Sequence, residues 1–103
     1  MTDKVLSMIG IAAKARRLRG GDFAVKESVR NGKSFLVIIA ADASDNTRKV
    51  LSDKCRSYKV PYIFYGTKEE LGLHSGRSIT AGLSIEDRGL AEAIMKLAEN
   101  AHQ

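Results

Sequence analysis

Apolar residues recur at steps of three and four through the opening segment. Over residues 4–16, Val5, Met8, Ile9, Ala12 and Ala15 share one stripe, which predicts a helix with a single buried face. "RLRGG" ends it. Beyond the glycines, Ala24, Val25, Ser28 and Val29 form the inward side of a second helix. At about 100° per residue, Asp22, Lys26, Arg30 and Lys33 gather on its opposite side. The period changes at "SFLVIIAA", residues 34–41, an unbroken apolar run rich in β-branched side chains that predicts a central strand buried on both faces. A third helix follows, with Ser44 as N-cap and Val50, Leu51, Cys55 and Tyr58 on one face. Pro61, the only proline, precedes "YIFYG", a short strand by its aromatic and β-branched content. Thr67 with Glu70 three residues on makes a capping-box pattern, opening a one- or two-turn helix that Gly72 or Gly76 stops. Residues 77–85 alternate loosely, with Ile79, Ala81, Leu83 and Ile85 facing one way, as in a strand. A last helix runs from about Asp87 to Ala101 with Leu90, Ile94, Leu97 and Ala98 inward. Helices alternating with strands predict an α/β layered sandwich, with helices on both faces of a small sheet.

Composition narrows the class without changing this picture. A chain of 103 residues suffices for one domain, taken as residues 1–103, and 44% apolar with 28% charged residues is ordinary for a folded globular protein. No apolar run approaches the roughly 20 residues that span a bilayer. The opening "MTDKVLSMIGIAAKARR" carries an acid where a signal peptide wants only positive charge, so the expected address is cytoplasmic, with no membrane partner. Cys55 is the single cysteine, which rules out an intrachain disulfide and a cysteine zinc cluster.

Charge changes the picture more. The net charge is +5, and the excess is local. Met1 to Phe35 holds eight basic residues (Lys4, Lys14, Arg16, Arg17, Arg19, Lys26, Arg30, Lys33) against three acids, whereas Leu36 to Gln103 holds nine of each sign. A solvated charged face explains most single basic helices. Here the cations flank Gly20 and Gly21. A glycine pair commonly serves a tight helix-to-helix turn. It also leaves backbone uncovered at the start of a helix, where free N–H groups and the positive dipole end favour phosphate oxygens. Several cations around such a helix start fit a nucleic-acid backbone better than one small anion, because counterion release rewards every phosphate neutralised.

Catalytic raw material is thin. His102 lies in the C-terminal tail, and His74, in "LGLHSG", is more readily a surface residue than a base. Cys55 sits in an apolar helical register, where a cysteine acts as a small hydrophobe. The acids of "TKEEL" and "SIED" suit helix N-termini. "RLRGGDFAVK" lacks both the P-loop and the dinucleotide spacing. The expectation is no enzyme, no cofactor and no metal.

The residues "GGDFAVK", then "LVIIAADAS", "NTRKVLSDKCRSYKVPY" and "KEELGLHSG", resemble the kink-turn RNA-binding ribosomal protein family, above all its small bacterial members. The resemblance covers nearly the whole chain. It implies a three-layer α/β/α sandwich with a small mixed sheet of about four strands, which binds structured RNA in the ribosome or translation apparatus, does no catalysis and is expected to be a monomer. The family's recognition loop, Gly-x-Asn-Glu-x-x-Lys, matches Gly20, Gly21, Asp22, Phe23, Ala24, Val25 and Lys26, with Asp in place of Asn and Phe in place of Glu. An Asp22 carboxylate accepts hydrogen bonds but donates none, and Phe23 either stacks on a base or covers the core. A second loop, which in the family meets a splayed-out nucleotide, corresponds to residues 76–80, with Arg77 and Ile79 as candidates. Lys14, Arg16, Arg17, Arg19, Arg30 and Lys33 are expected to add salt-dependent attraction. The alternative is a protein-binding adapter of the same fold that meets an acidic partner. An enzyme ranks third and would require His74 beside an acid in a cleft.

Overall fold

A computed structural model describes residues 3–101, so His102 lies outside the described residues. The elements run α1 (Lys4–Lys14), β1 (Leu18–Gly20), α2 (Asp22–Arg30), β2 (Leu36–Ile39), α3 (Asp45–Ser57), β3 (Tyr62–Phe64), α4 (Lys68–His74), β4 (Gly82–Ile85) and α5 (Arg88–Ala101). The strands form one mixed sheet in the order β1-β4-β2-β3, with β4 antiparallel to both neighbours and β2 parallel to β3. Helices α1, α4 and α5 pack together over one face, and α2 with α3 over the other. This is the three-layer α/β/α sandwich, with the expected mixed sheet of four strands.

The local causes are legible at most element ends. Asp3 Oδ1 accepts from Leu6 N–H at the start of α1, and Ser44 Oγ accepts from Thr47 N–H at the start of α3. At α4 both halves of the capping box form: Glu70 N–H donates to Thr67 Oγ1, and Thr67 N–H donates to Glu70 Oε1. Gly76, at φ 80°, ends that helix, while Gly72 lies inside it. All four residues of β2 and of β4 are buried, and Ile9, Leu36, Ile38, Leu83, Ile85 and Ile94 are wholly removed from water. Helix α2 is fastened to the sheet by a polar chain. Fully buried Ser28 Oγ lies 2.8 Å from Ser84 Oγ and donates to Glu86 Oε2 at 2.5 Å, and Ser84 Oγ donates to Ser34 Oγ at 2.7 Å. Each buried hydroxyl is thereby satisfied.

Four expectations need correction. Residues 18–20 form an edge strand, not part of a helix-to-helix turn, because the chain pairs with β4 in the register Leu18↔Ile85, Arg19↔Ser84, Gly20↔Leu83. Helix α1 stops at Lys14, and Ala15 is exposed while Leu6 takes a core place. In α3, Val50 and Tyr58 face solvent, leaving Leu51, Ser52 and Cys55 as its buried residues. The strand expected over 77–85 shortens to Gly82–Ile85. Arg77 N–H donates to Gly72 O and Thr80 N–H to Lys68 O, so residues 77–80 lie along α4 instead of joining the sheet, and Ile79 is exposed.

Cys55 is fully buried, and desolvation pushes its thiol up to about 11. Folding therefore favours the protonated thiol. That contribution is complete below the unfolded value near 9 and is lost as pH rises through about 11. The expected result is that dithionitrobenzoate at pH 8 leaves Cys55 unmodified in the native protein and titrates it fully in guanidinium. Rapid native modification would contradict its burial.

Candidate functional site

The two loops matched by the resemblance meet at one end of the β1–β4 pair. Gly21 N–H donates to Gly82 O at 3.0 Å, so the loop leaving β1 and the loop entering β4 depart from a single point on the sheet. Arg77 closes the gap between them. A Cβ on Gly20 would stand 2.7 Å from Arg77 Nε and 2.9 Å from its Cζ, so the guanidinium lies against the bare glycine. The arginine is steadied by its own loop, with Nη1 donating to Ser75 O at 3.3 Å.

Helix α2 begins here without a cap. Gly21 has φ 99° and ψ 153°, and no side chain caps the helix. The first main-chain bond is Val25 N–H to Gly21 O. The amides of Asp22, Phe23 and Ala24 therefore have no intrahelical acceptor and point out of the helix end. This corrects the expected donors: the Gly21 amide is used by the sheet, and the open ones belong to the three residues after it. Gly20 still contributes. In an antiparallel pair whose Arg17 and Gly21 bond to β4, residues 18 and 20 turn their N–H and C=O groups to the unpaired side, and β1 is an edge.

Around this opening the exposed apolar side chains are large. Phe23 is 74% exposed and Ile79 60%, which settles the open question about Phe23: it does not cover the core. Leu73, 73% exposed on α4, joins them and went unremarked in the sequence. Its signal was there, since two residues from buried Leu71 on a helix an apolar side chain must face away from the core. Lys26 stands one turn along α2 from Asp22. Lys14 approaches from α1, lining a surface depression of about 380 Å³ with Leu73, His74 and Gly76. His74 has its Nδ1 3.0 Å from the Glu70 carbonyl of its own helix. Among the described residues no three His, Cys, Asp or Glu side chains group as a metal site, and no helix is long and apolar enough to cross a membrane.

The remaining predicted cations are elsewhere. Arg16, Arg17 and Lys33 line a separate pocket with Phe35 and Glu86, and Glu86 N–H donates to Arg17 O at the far end of the strand pair, roughly 13 Å from Gly21. Arg30 ends α2, about 9–12 Å along the helix from its open amides. Arg19 turns to the α2 face and pairs with Glu27 at 3.2 Å. The basic stretch that looks continuous in the sequence is thus divided between two ends of the molecule.

A four-stranded mixed sheet between two helical layers, with an uncapped helix and an arginine-bearing loop converging at one end, defines a small α/β/α sandwich protein. The chain belongs to the ribosomal protein L7Ae/L30e/S12e/Gadd45 family, whose sequence model matches residues 3–95. Among its relatives, the RNA-binding protein YlxQ of Bacillus subtilis is 34% identical over 92 residues, 89% of this chain and 92% of that protein. The large ribosomal subunit protein eL8 of Picrophilus torridus is 37% identical over 86 residues, 82% of this chain and 68% of that one. Two solved structures share the fold. A Bacillus halodurans protein of unknown function superposes with a TM-score of 0.91 at 36% identity, covering 95% of this chain and 99% of its own. The Giardia lamblia 15.5kD RNA binding protein gives 0.77 at 28%, covering 99% and 91%.

Proposed function

We propose that this chain is a non-catalytic, monomeric RNA-binding protein of the cytoplasmic translation apparatus that holds a kink-turn-like bend in structured RNA. One observation carries the reading: the open amides of Asp22, Phe23 and Ala24 share a surface with Lys26, with Arg77 seated on Gly20, and with solvent-facing Phe23 and Ile79. Main-chain donors at a positive dipole end, next to two cations, suit phosphates drawn together at a bend. Exposed Phe23 and Ile79 suit bases that have left the stack, which is how RNA offers its sequence. The Asp22 carboxylate accepts from guanine N1 and N2 donors. The names of the YlxQ and Giardia proteins, which bind RNA, support the same ligand.

The test is a titration of a kinked RNA duplex and a straight duplex of equal length, each at two ionic strengths. A preference of about tenfold or more for the kinked form at both salts is expected, since bend-specific contacts add to counterion release. Equal affinities would refute bend recognition. Lys26→Ala should weaken both RNAs alike and lower the slope of log affinity against log salt by about one unit. An unchanged slope would remove Lys26 from the phosphate contacts.

A further inference from the structure

The end of the sheet opposite the Gly20–Gly21 opening carries a second, unassigned groove, formed by two pockets that share Phe35. One, of about 370 Å³, is lined by Arg16, Arg17, Lys33, Phe35 and Glu86. The other, of about 260 Å³, has an apolar floor of Phe35, Val60, Pro61 and Met95 with Lys59 and Arg88 among its walls. The groove is assembled from the starts of β1 and β2 and the end of β4, where Glu86 N–H meets Arg17 O, Phe35 N–H meets Ile85 O and Val37 N–H meets Pro61 O.

Its cations are free. Among the described residues, ion pairs engage Arg19, Arg48, Lys49 and Arg56, while Arg16, Arg17, Lys33, Lys59 and Arg88 make none. The nearby acids are partly committed to the fold. Glu86 accepts from buried Ser28, and Asp87 accepts from Leu90 N–H at the start of α5, leaving Glu92 as the unbonded carboxylate in the wall. Two of the cations also sit where a side chain is disfavoured. Arg16 at φ 59° and Lys59 at φ 58° are the only non-glycine residues with positive φ among those described, and each follows a helix C-cap, where glycine is the usual occupant. The fold thus places arginine and lysine at the rim of this groove at a cost in local strain. Arg88 lies over the Phe35 ring, its Cζ 5.3 Å from the centroid.

We propose that this groove binds a short single-stranded RNA segment, with a base stacked on the Arg88 guanidinium that lies over the Phe35 ring and the adjoining phosphates on Arg17 and Lys33. An apolar slot sharing one aromatic ring with a cationic slot is the arrangement that unpaired nucleotides require, since each base offers a flat face and each link a charge. A duplex would keep its bases out of the slot. The inference rests on RNA being the ligand of this chain, but not on recognition of a bend.

The experiment uses the full chain and two probes, oligoadenylate of about six nucleotides and a kinked duplex without single-stranded ends. The triple variant R17Q/K33Q/R88Q should lose about tenfold or more in oligoadenylate affinity. Phe35→Leu, which keeps apolar bulk and removes the ring, should lose roughly fivefold or more. Both should weaken the kinked duplex several-fold less than they weaken oligoadenylate, whereas Lys26→Ala should weaken the duplex more than the oligonucleotide. Oligoadenylate binding that survives the triple variant, or that falls equally with Lys26→Ala, would overturn the second site. Indifference to Phe35→Leu would overturn the assignment to single strands. Failure of the duplex to bind, with oligoadenylate held as described, would overturn bend recognition alone.

Discussion

Replacing Gly72 by alanine is expected to lower stability by about 2–3 kcal/mol and to weaken binding of kinked RNA by about tenfold. Helix propensity argues the other way, because alanine inside a helix is favoured over glycine by about 1 kcal/mol. The close approach decides the sign. A Cβ on Gly72 would stand 2.6 Å from Ser78 O and 2.8 Å from both Ile79 N and Cα, all main-chain atoms. They cannot withdraw as a flexible side chain would, because residues 77–80 are held on α4 by the bonds Arg77 N–H to Gly72 O and Thr80 N–H to Lys68 O. The loop must lift, carrying Arg77 off Gly20 and shifting exposed Ile79 away from its place on the proposed RNA surface. Gly89→Ala in α5 is the control, since its new Cβ would make an ordinary contact, 3.5 Å from Asp87 Oδ2, and should leave stability equal or up to about 1 kcal/mol higher. Urea midpoints for both variants, with RNA titrations beside them, make the comparison. A Gly72→Ala midpoint as high as that of Gly89→Ala would show that the loop does not rest on the helix.

That dependence on a main-chain approach marks where reading along the sequence stops. The central strand was legible because "LVII" is buried on both faces and carries no other pattern. The capping box at Thr67 and the cap at Ser44 were legible because their chemistry is local. β1 was not. Three residues with one arginine and one glycine have no alternation to detect, and they are a strand only because β4 pairs with them. Ile79 misled in the opposite sense: it continues the alternation of Ala81, Leu83 and Ile85 yet faces water, and period alone cannot separate a core position from a contact surface. Charge suffered the same loss. Arg17 and Lys26 are near in sequence, but a strand and a helix carry their neighbourhoods to opposite ends of the sheet, and the partners that complete the second groove, Lys59 and Arg88, come from the electrically balanced part of the chain. The glycine turn itself was visible. Which amides it leaves open depended on the bond from Gly21 to Gly82, a fact of register.

The two glycines of that turn should separate folding from binding. Gly21, at φ 99° and ψ 153°, occupies a region that costs other residues about 1–3 kcal/mol, and its Cβ would meet nothing within 4 Å, so the penalty of Gly21→Ala is one of backbone conformation. Strain there relaxes by turning the first amides of α2, so that variant should lose stability by about that amount and RNA affinity with it. Gly20 lies in β1, where alanine is tolerated, and what its Cβ would strike is the end of a flexible arginine. Gly20→Ala should therefore keep stability within about 0.5 kcal/mol while displacing the Arg77 guanidinium and weakening kinked RNA several-fold. The displaced arginine also fixes how the variants combine. If the bare glycine exists to seat Arg77, then Arg77→Gln should cost much less affinity in the Gly20→Ala background than in wild type, a coupling that a double-mutant cycle measures directly. Equal stability losses at the two glycines would mean that Arg77 does not yield, and that its crowding of Gly20 costs as much as the positive φ of Gly21. Strict additivity of Gly20→Ala with Arg77→Gln would mean that Arg77 reaches the RNA from somewhere other than its place on Gly20.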